Sequence, residues 1–475
     1  MPDDRPSLQA AAPQPLQADC PGKADVSQRA IQATSAGTLR GSVKQSVAPR
    51  RKIIAFDSWT GGYFNFERLL PAFAARGIDF VLIHIGSWGS DPGRPHRETI
   101  GSFEARDIKY YDDSWFDEVL DVEKPDAVLL LSTRTFAHRA FVRYCEQRSI
   151  PSLHLYHGLA NVQVTNDSKG SHEIDRVAYA FYVLSRVGKL IRHTFPCYVR
   201  ALWKTRAGVR EWGRFIGDVG RFARGAPFLQ AADDSRTTRC AVYANADVEH
   251  AVRVYGFKPG EVAAVGNPDL VRFGLQAPLL GMMNKRSITE LELVMYVDTA
   301  LAIVGLLFKS RSAFIDHLRS TAATLAAQGK RLAFKPHPAH DVDALRRDLE
   351  GSGVELVTND DFVSRLQQCC ACIAETTSVA LVPALLGLPL LCACYGELKT
   401  QRFGTVLKSY PRGYLLEDIE QVSAILSRDA ATFKPKEVED WIAFNCGPLP
   451  AEDMPVRVAA LVDEMIFVRK GASAA

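Results

Sequence analysis

The segment Phe334-Lys335-Pro336-His337-Pro338 places a cation before, and an imidazole between, two rigid prolines, directly after an apolar run. In open α/β sheets, ligands bind beyond the carboxyl ends of the strands. Lys335 and His337 there suit a diphosphate or a departing phosphate, and the prolines fix where His337 points. A second segment, Glu375-Thr376-Thr377-Ser378, also follows an apolar run and precedes a helix-forming one, Val379 to Leu386, closed by Gly387. Thr376 or Thr377 can cap that helix, whose free N–H groups then favour an anion. Glu375 can accept hydrogen bonds from ribose hydroxyls or a base; ordinary helix capping is the plainer alternative. Asp298 and Thr299, in Met295-Tyr296-Val297-Asp298-Thr299, are placed to line the same anion site.

Two further stretches lie in the first half. Tyr156-His157-Gly158-Leu159 follows a strand, and Gly158 allows a substrate to approach closely. His157 is a candidate general base for an acceptor hydroxyl, with a buried strand-end histidine as the alternative. Asp57-Ser58-Trp59-Thr60-Gly61-Gly62 forms the first strand-to-helix loop. Asp57 is the rival base, and Gly61 and Gly62 leave room for a ligand on the acceptor side. The loop lacks G-x-G-x-x-G, so no nicotinamide or flavin cofactor is expected, and no P-loop is present for NTP hydrolysis. Cys369-Cys370-Ala371-Cys372 is too closely spaced for a tetrahedral metal site. Buried strand cysteines are expected instead, with no metal.

The elements that must position these residues alternate. Apolar strands are expected at 53–56, 80–84, 127–131 and 152–155, with helices near 66–76, 114–122 and 137–148 between them. Short apolar strands separated by helices indicate a parallel sheet covered on both faces. The pattern resumes at 240–244 and 262–265, and again from 291 with strands at 331–334, 354–357, 370–373 and 390–393. The fold class is therefore α/β, with two Rossmann-like domains facing a cleft. Residues 1–48 read as a disordered leader, 49–270 as the acceptor domain, 282–425 as the donor domain and 426–475 as closing helices.

Residues 176–225 interrupt the alternation with eleven Lys or Arg against two acids, Glu211 and Asp218, interleaved with Phe181, Tyr182, Phe195, Tyr198, Trp203, Trp212, Phe215 and Phe222. That composition suits helices lying on an anionic membrane surface. It also suits a helical insertion (176–230) whose aromatics pack inward and whose basic face is merely solvated.

The whole-chain balance is that of a globular protein: 47% hydrophobic, 23% charged, formal net charge +3. That charge is too small to argue nucleic-acid binding. The N-terminus is polar and lacks an apolar signal core, and the apolar run 301–308 stops at Lys309. A cytoplasmic protein with mostly free thiols, peripheral on the inner membrane face if the basic helices bind lipid, is the expectation.

With Lys335-Pro336-His337-Pro338, Glu375 to Ser378, Pro383-Ala384-Leu385-Leu386-Gly387-Leu388-Pro389 and Val265-Gly266-Asn267-Pro268, the sequence resembles the GT-B glycosyltransferase superfamily. Within it the chain is similar to bacterial capsule and surface-polysaccharide transferases, including the sialyltransferase, Kdo transferase and CDP-glycerol glycerophosphotransferase branches. The resemblance spans about residues 50–425. It implies transfer of a sugar or sugar-like unit from a CMP-, CDP- or UDP-linked donor to a glycan or lipid-linked acceptor. His157-Gly158, His337-Pro338 and Thr377-Ser378 look similar to motifs of those branches, which implies His157 as base and His337 and Ser378 on the donor phosphates. The acidic pairs Asp112-Asp113, Asp233-Asp234 and Asp360-Asp361 are not followed by glycine, and His157-Gly158 continues into Leu159-Ala160-Asn161. The resemblance therefore reaches the superfamily rather than one donor. A UDP-N-acetylglucosamine 2-epimerase and a non-catalytic nucleotide-sugar-binding subunit are the competing readings.

Overall fold

A computed structural model describes residues 50–475 apart from 58–62, 89–92, 113–114, 157–189, 224–235, 276, 286–287, 289, 300–306, 309, 338–339, 400, 402 and 475. The described residues carry two sheets. The first runs β1 (Arg51–Asp57), β2 (Ile78–His84), β3 (Arg97–Ile100), β4 (Phe103–Asp107), β5 (Ala127–Leu130), β6 (Ser152–Leu155), β7 (Arg239–Val242) and β8 (Val262–Ala264). The second runs β9 (Leu293–Val297), β10 (Arg331–Lys335), β11 (Val354–Leu356), β12 (Cys369–Ala374), β13 (Leu390–Ala393) and β14 (Gly413–Leu416).

Spatial order is β3-β4-β2-β1-β5-β6-β7-β8 in the first sheet and β11-β10-β9-β12-β13-β14 in the second. Every pairing is parallel except β3 with β4. Each sheet reverses its winding once, between β1 and β5 and between β9 and β12. A crevice opens at the carboxyl ends of the strands at such a switch point. Residues in β5, β6, β9, β12 and β13 are buried throughout, because helices cover both faces of a parallel sheet. Burying one large apolar side chain there contributes roughly 1.5–3 kcal/mol. Cys369, Cys370 and Cys372 lie within β12 as buried free thiols, and the described residues hold no metal-ligating cluster.

Several elements were not expected from the sequence. Strands β3, β4 and β14 are short, β3 and β4 are of mixed polarity, and all three lie on or near sheet edges where one flank or face stays wet. The expected helix near 66–76 is two short turns, Phe64–Glu67 and Leu70–Ala74, separated at Arg68-Leu69 with Pro71 at the start of the second.

The last helix, Met454–Ala474, belongs spatially to the first domain. It packs on the helix Leu70–Ala74 and on β5. Asp463 pairs with Arg51 and, at 3.2 Å, with Arg76; Glu464 lies 3.4 Å from Arg239. The chain crosses back past Gly266, whose φ of +103° disfavours a side chain and where a Cβ would come to 3.0 Å from Arg457 and from the Pro448 carbonyl. No helix of the described residues is long and apolar enough to cross a membrane.

The basic insertion is described from Leu190. Its helices Phe195–Lys204 and Val209–Ala223 form a hairpin over the helix Phe136–Gln147. Phe195, Tyr198 and Phe215 ring Phe136 with centroids 4.8, 5.4 and 5.6 Å away. Buried Arg139 bonds Asp218 at 2.7 Å, and Arg143 bonds Glu211. The inner aromatics are therefore core. Trp203 (78% exposed), Val209 (90%) and Ile216 (69%) face solvent, near exposed Arg206 and Arg210. Phe181 and Tyr182 lie outside the described residues.

Candidate functional site

In the second sheet, Lys335 stands beside Val297, and Val297 beside Ala374, in one register row. The residues that follow these three positions therefore emerge together at the switch point. Asp298 and Thr299 leave β9, Pro336 and His337 leave β10, and Glu375 to Thr377 leave β12. The structure brings together the donor-side residues that the sequence singled out, each at a strand exit.

Their roles differ in detail. Glu375 is fully buried. Its Oε1 accepts the Tyr296 hydroxyl at 2.7 Å and its Oε2 the Thr299 N–H at 3.1 Å. Desolvation first, then the neighbouring Asp298 charge, raise its pKa to about 8. Tyr296 also lies 3.2 Å from His317 Nε2, and burial lowers the His317 pKa to about 4. Glu375 is thus an enclosed strut that joins the β12 and β9 exits, whereas the sequence offered it as an acceptor for ribose hydroxyls or a base. Asp298, also buried, pairs with His340 Nε2 at 2.7 Å. Desolvation raises its pKa against the opposing pull of His340.

Lys335 is buried, with Nζ donating to the Pro336 carbonyl at 3.2 Å and lying 5.5 Å from the Phe362 ring centre. Its charge stands behind the turn rather than on the surface. His337 is half-buried. Burial, with Lys335 and His340 nearby, lowers its pKa against the pull of Asp298, so the ring is neutral near pH 7. Pro338 lies outside the described residues.

The threonines do not cap the following helix as expected. That helix, Leu381–Leu386, has Ala380 at its N-cap with no side-chain bond, after a 3-10 turn at Ser378–Ala380. The Thr376 hydroxyl instead donates to Gln401 Oε1 at 2.6 Å, and its N–H bonds the same oxygen. Thr377 Oγ1 accepts the Val379 N–H at 3.4 Å, inside the 3-10 turn. The side chain of Ser378 is not among those described.

In the first sheet, Asp57 ends β1 at its own switch point and is 7% exposed. His138, in the helix after β5, directs Nε2 toward Asp57 Oδ1 at 3.7 Å. Its Nδ1 lies 2.7 Å from the Thr135 hydroxyl, which also caps that helix. Next along the edge, in register with Asp57, His84 lies 3.1 Å from Asp107. Asp107 also accepts Ser87 N–H at 3.0 Å. These bonds, working against desolvation, bring its pKa down to about 2. That trio ties the β2 and β4 exits together. His157, Gly158, Gly61 and Gly62 lie outside the described residues.

His138, His340, Gln401 and the His84–Asp107 pair were not among the sequence candidates. Two carried a signal: Thr135-x-x-His138 has capping spacing, and His340 follows His337 by three residues. Gln401 sits 25 residues beyond its partner, a separation that spacing does not reveal.

Two doubly wound α/β domains, with polar clusters at both switch points and a last helix returning to the first domain, make this a GT-B fold. Among solved structures, the chain is similar to the calicheamicin glycosyltransferase CalG4 at 14% identity and TM-score 0.47, covering 88% of this chain and 99% of that one. It is similar to the wall teichoic acid polymerase TagF at 10% identity and TM-score 0.44, covering 90% and 91%. It is also similar to S. aureus MnaA in a structure with UDP, at 11% identity and TM-score 0.44, covering 87% and 96%. No protein-family model and no curated protein matches the sequence.

Proposed function

We propose that this chain is a glycosyltransferase that moves a sugar or sugar-like unit from a CMP-, CDP- or UDP-linked donor to a surface-glycan or lipid-linked acceptor. The observation that carries the reading is the convergence of His337, Lys335, Asp298, Thr299 and Glu375 to Thr377 at one switch point. In this reading the second sheet holds the nucleotide. His337 donates a hydrogen bond to the phosphate that departs with the nucleotide, Lys335 supplies positive potential from beneath it, and Thr377 lines the same site at the β12 exit. Negative charge grows on that phosphate as the glycosidic bond breaks, so donors fixed beforehand lower the barrier; one such donor contributes about 3 kcal/mol.

On the first sheet, Asp57 takes the proton of the acceptor hydroxyl as the new bond forms. His138 Nε2 stands 3.7 Å from that carboxylate. His157 is the rival base. Outward-facing Trp203, Val209 and Ile216, with Arg206 and Arg210, support attachment to an anionic membrane face, where a lipid-linked acceptor sits.

The deciding experiment measures nucleotide binding across CMP, CDP, UDP and GDP, then transfer, for the natural chain and His337→Ala. Loss of both in the variant is expected, and full retention of both sinks the mechanism. UDP-N-acetylglucosamine epimerised without any acceptor would establish the epimerase reading instead. Nucleotide binding without turnover across a donor panel would establish a binding subunit. Flotation with anionic liposomes that falls when Trp203 and Ile216 become serine is expected for the membrane face; no flotation of the natural chain removes it.

A further inference from the structure

Strand β10 ends at Lys335 and the next helix begins at Val342. Of the described residues between them, His340 is the one tied to its surroundings on several sides. Its backbone N–H bonds the His337 carbonyl at 3.0 Å. Its ring lies almost parallel to Phe314, with centroids 5.5 Å apart and planes 10° from parallel. From that stack, Nε2 reaches Asp298 Oδ2 at 2.7 Å.

Asp298 completes the arrangement. Its side chain is fully buried at the exit of β9, close to the His337 backbone as well as to the His340 ring. One carboxylate on the neighbouring strand thus stands against both His337 and His340. The pairing has an electrostatic side as well. A bare carboxylate at this strand exit would repel a phosphate bound by His337. A carboxylate that accepts an imidazole N–H presents less field to it.

We propose that His340 is a positioning residue: its ring is held between Phe314 and Asp298, and its N–H bond to the His337 carbonyl fixes the backbone from which His337 meets the donor phosphate. The chemical consequence rests on the nucleotide-donor reading above; the geometry does not.

Two substitutions separate the ring's functions. His340→Phe keeps the stack on Phe314 and the volume but removes the donor to Asp298. His340→Gln gives up the stack but places an amide N–H near the former Nε2. The full-length chain, labelled with 13C in histidine, reports on His337 directly, and its signal is assigned by its absence from His337→Ala. The expected result is a displaced His337 signal in His340→Phe and a near-natural one in His340→Gln. Affinity for whichever of CMP, CDP or UDP binds the natural chain should fall about tenfold in the Phe variant, equivalent to 1.4 kcal/mol. It should stay within about threefold in the Gln variant. Melting temperatures of the unliganded proteins should stay close together; a purely structural His340 would lower melting and affinity in step.

An unmoved His337 signal in His340→Phe overturns the proposal, whether or not any nucleotide binds. If the Phe variant does not fold, His340→Asn, whose amide is too short to reach Asp298, is read in the same way. If the natural chain binds none of CMP, CDP or UDP, the nucleotide reading fails, and the His337 signal still decides the role of His340.

Discussion

Asp463, on the last helix, pairs with Arg51 at the start of the first strand, 412 residues earlier, and holds Arg76 at 3.2 Å. The final helix is therefore a structural part of the first domain. Its buried face, including Val458, Val462, Met465 and Ile466, covers that domain. Ile466→Ala should cost about 2–5 kcal/mol, whereas Asp463→Ala, at a half-exposed ion pair, should cost under about 1 kcal/mol. Chemical denaturation followed by proteolysis of the first domain checks both.

Glu375 and His317 give opposite pH dependences. Glu375 titrates near 8 in the folded chain against an ordinary value of 4.5. Between those values the folded state keeps a proton that the unfolded chain has released, so stability falls as pH rises. His317 titrates near 4 against 6.5. There the unfolded chain holds the extra proton, so stability rises with pH up to about 6.5. From roughly pH 6.5 to 8 the Glu375 effect stands alone of the two. Glu375→Gln should melt higher than the natural chain in that window, and the difference should grow toward pH 8. A melting series across pH tests this; a constant difference rules it out.

Asp57→Asn should lower kcat by at least about a hundredfold if the carboxylate takes the acceptor proton. Nucleotide affinity should stay unchanged, because the proposed donor site lies on the other sheet. His138→Gln should lower kcat by a smaller factor. Steady-state kinetics beside nucleotide titrations separate these effects. A greater loss in His157→Ala with normal Asp57→Asn activity would transfer the base role to His157.

The hairpin 195–223 should respond differently on its two sides. Asp218→Ala leaves Arg139, 1% exposed, without its 2.7 Å partner. About 3–5 kcal/mol of destabilisation is expected, seen as faster proteolysis within the hairpin. Trp203→Ser should leave melting within about 0.5 kcal/mol of the natural chain, because its ring is exposed.

Much of the fold was legible in the sequence. Central strands such as β5, β9, β10 and β13 are buried on both faces, so each reads as an unbroken apolar run. The edge strand β3 alternates exposed and half-buried residues, and only pairing with β4 identifies it. The donor-side candidates were legible because polar residues stop each apolar run where the strand ends. Their duties were not. Nothing in Glu375-Thr376-Thr377 announces that Glu375 lies under the loops or that Thr376 turns to Gln401.

The sequence by itself determined the two α/β domains, the strand exits that carry polar residues and the mixed basic and aromatic insertion, since these follow from local hydrophobic period and composition. Only the tertiary structure decided which polar groups meet. Parallel strands put residues dozens of positions apart into one register row, so Asp298 meets His340 and Asp57 meets His138. Burial then assigns their charge states, and burial belongs to the packed chain rather than to any segment of it.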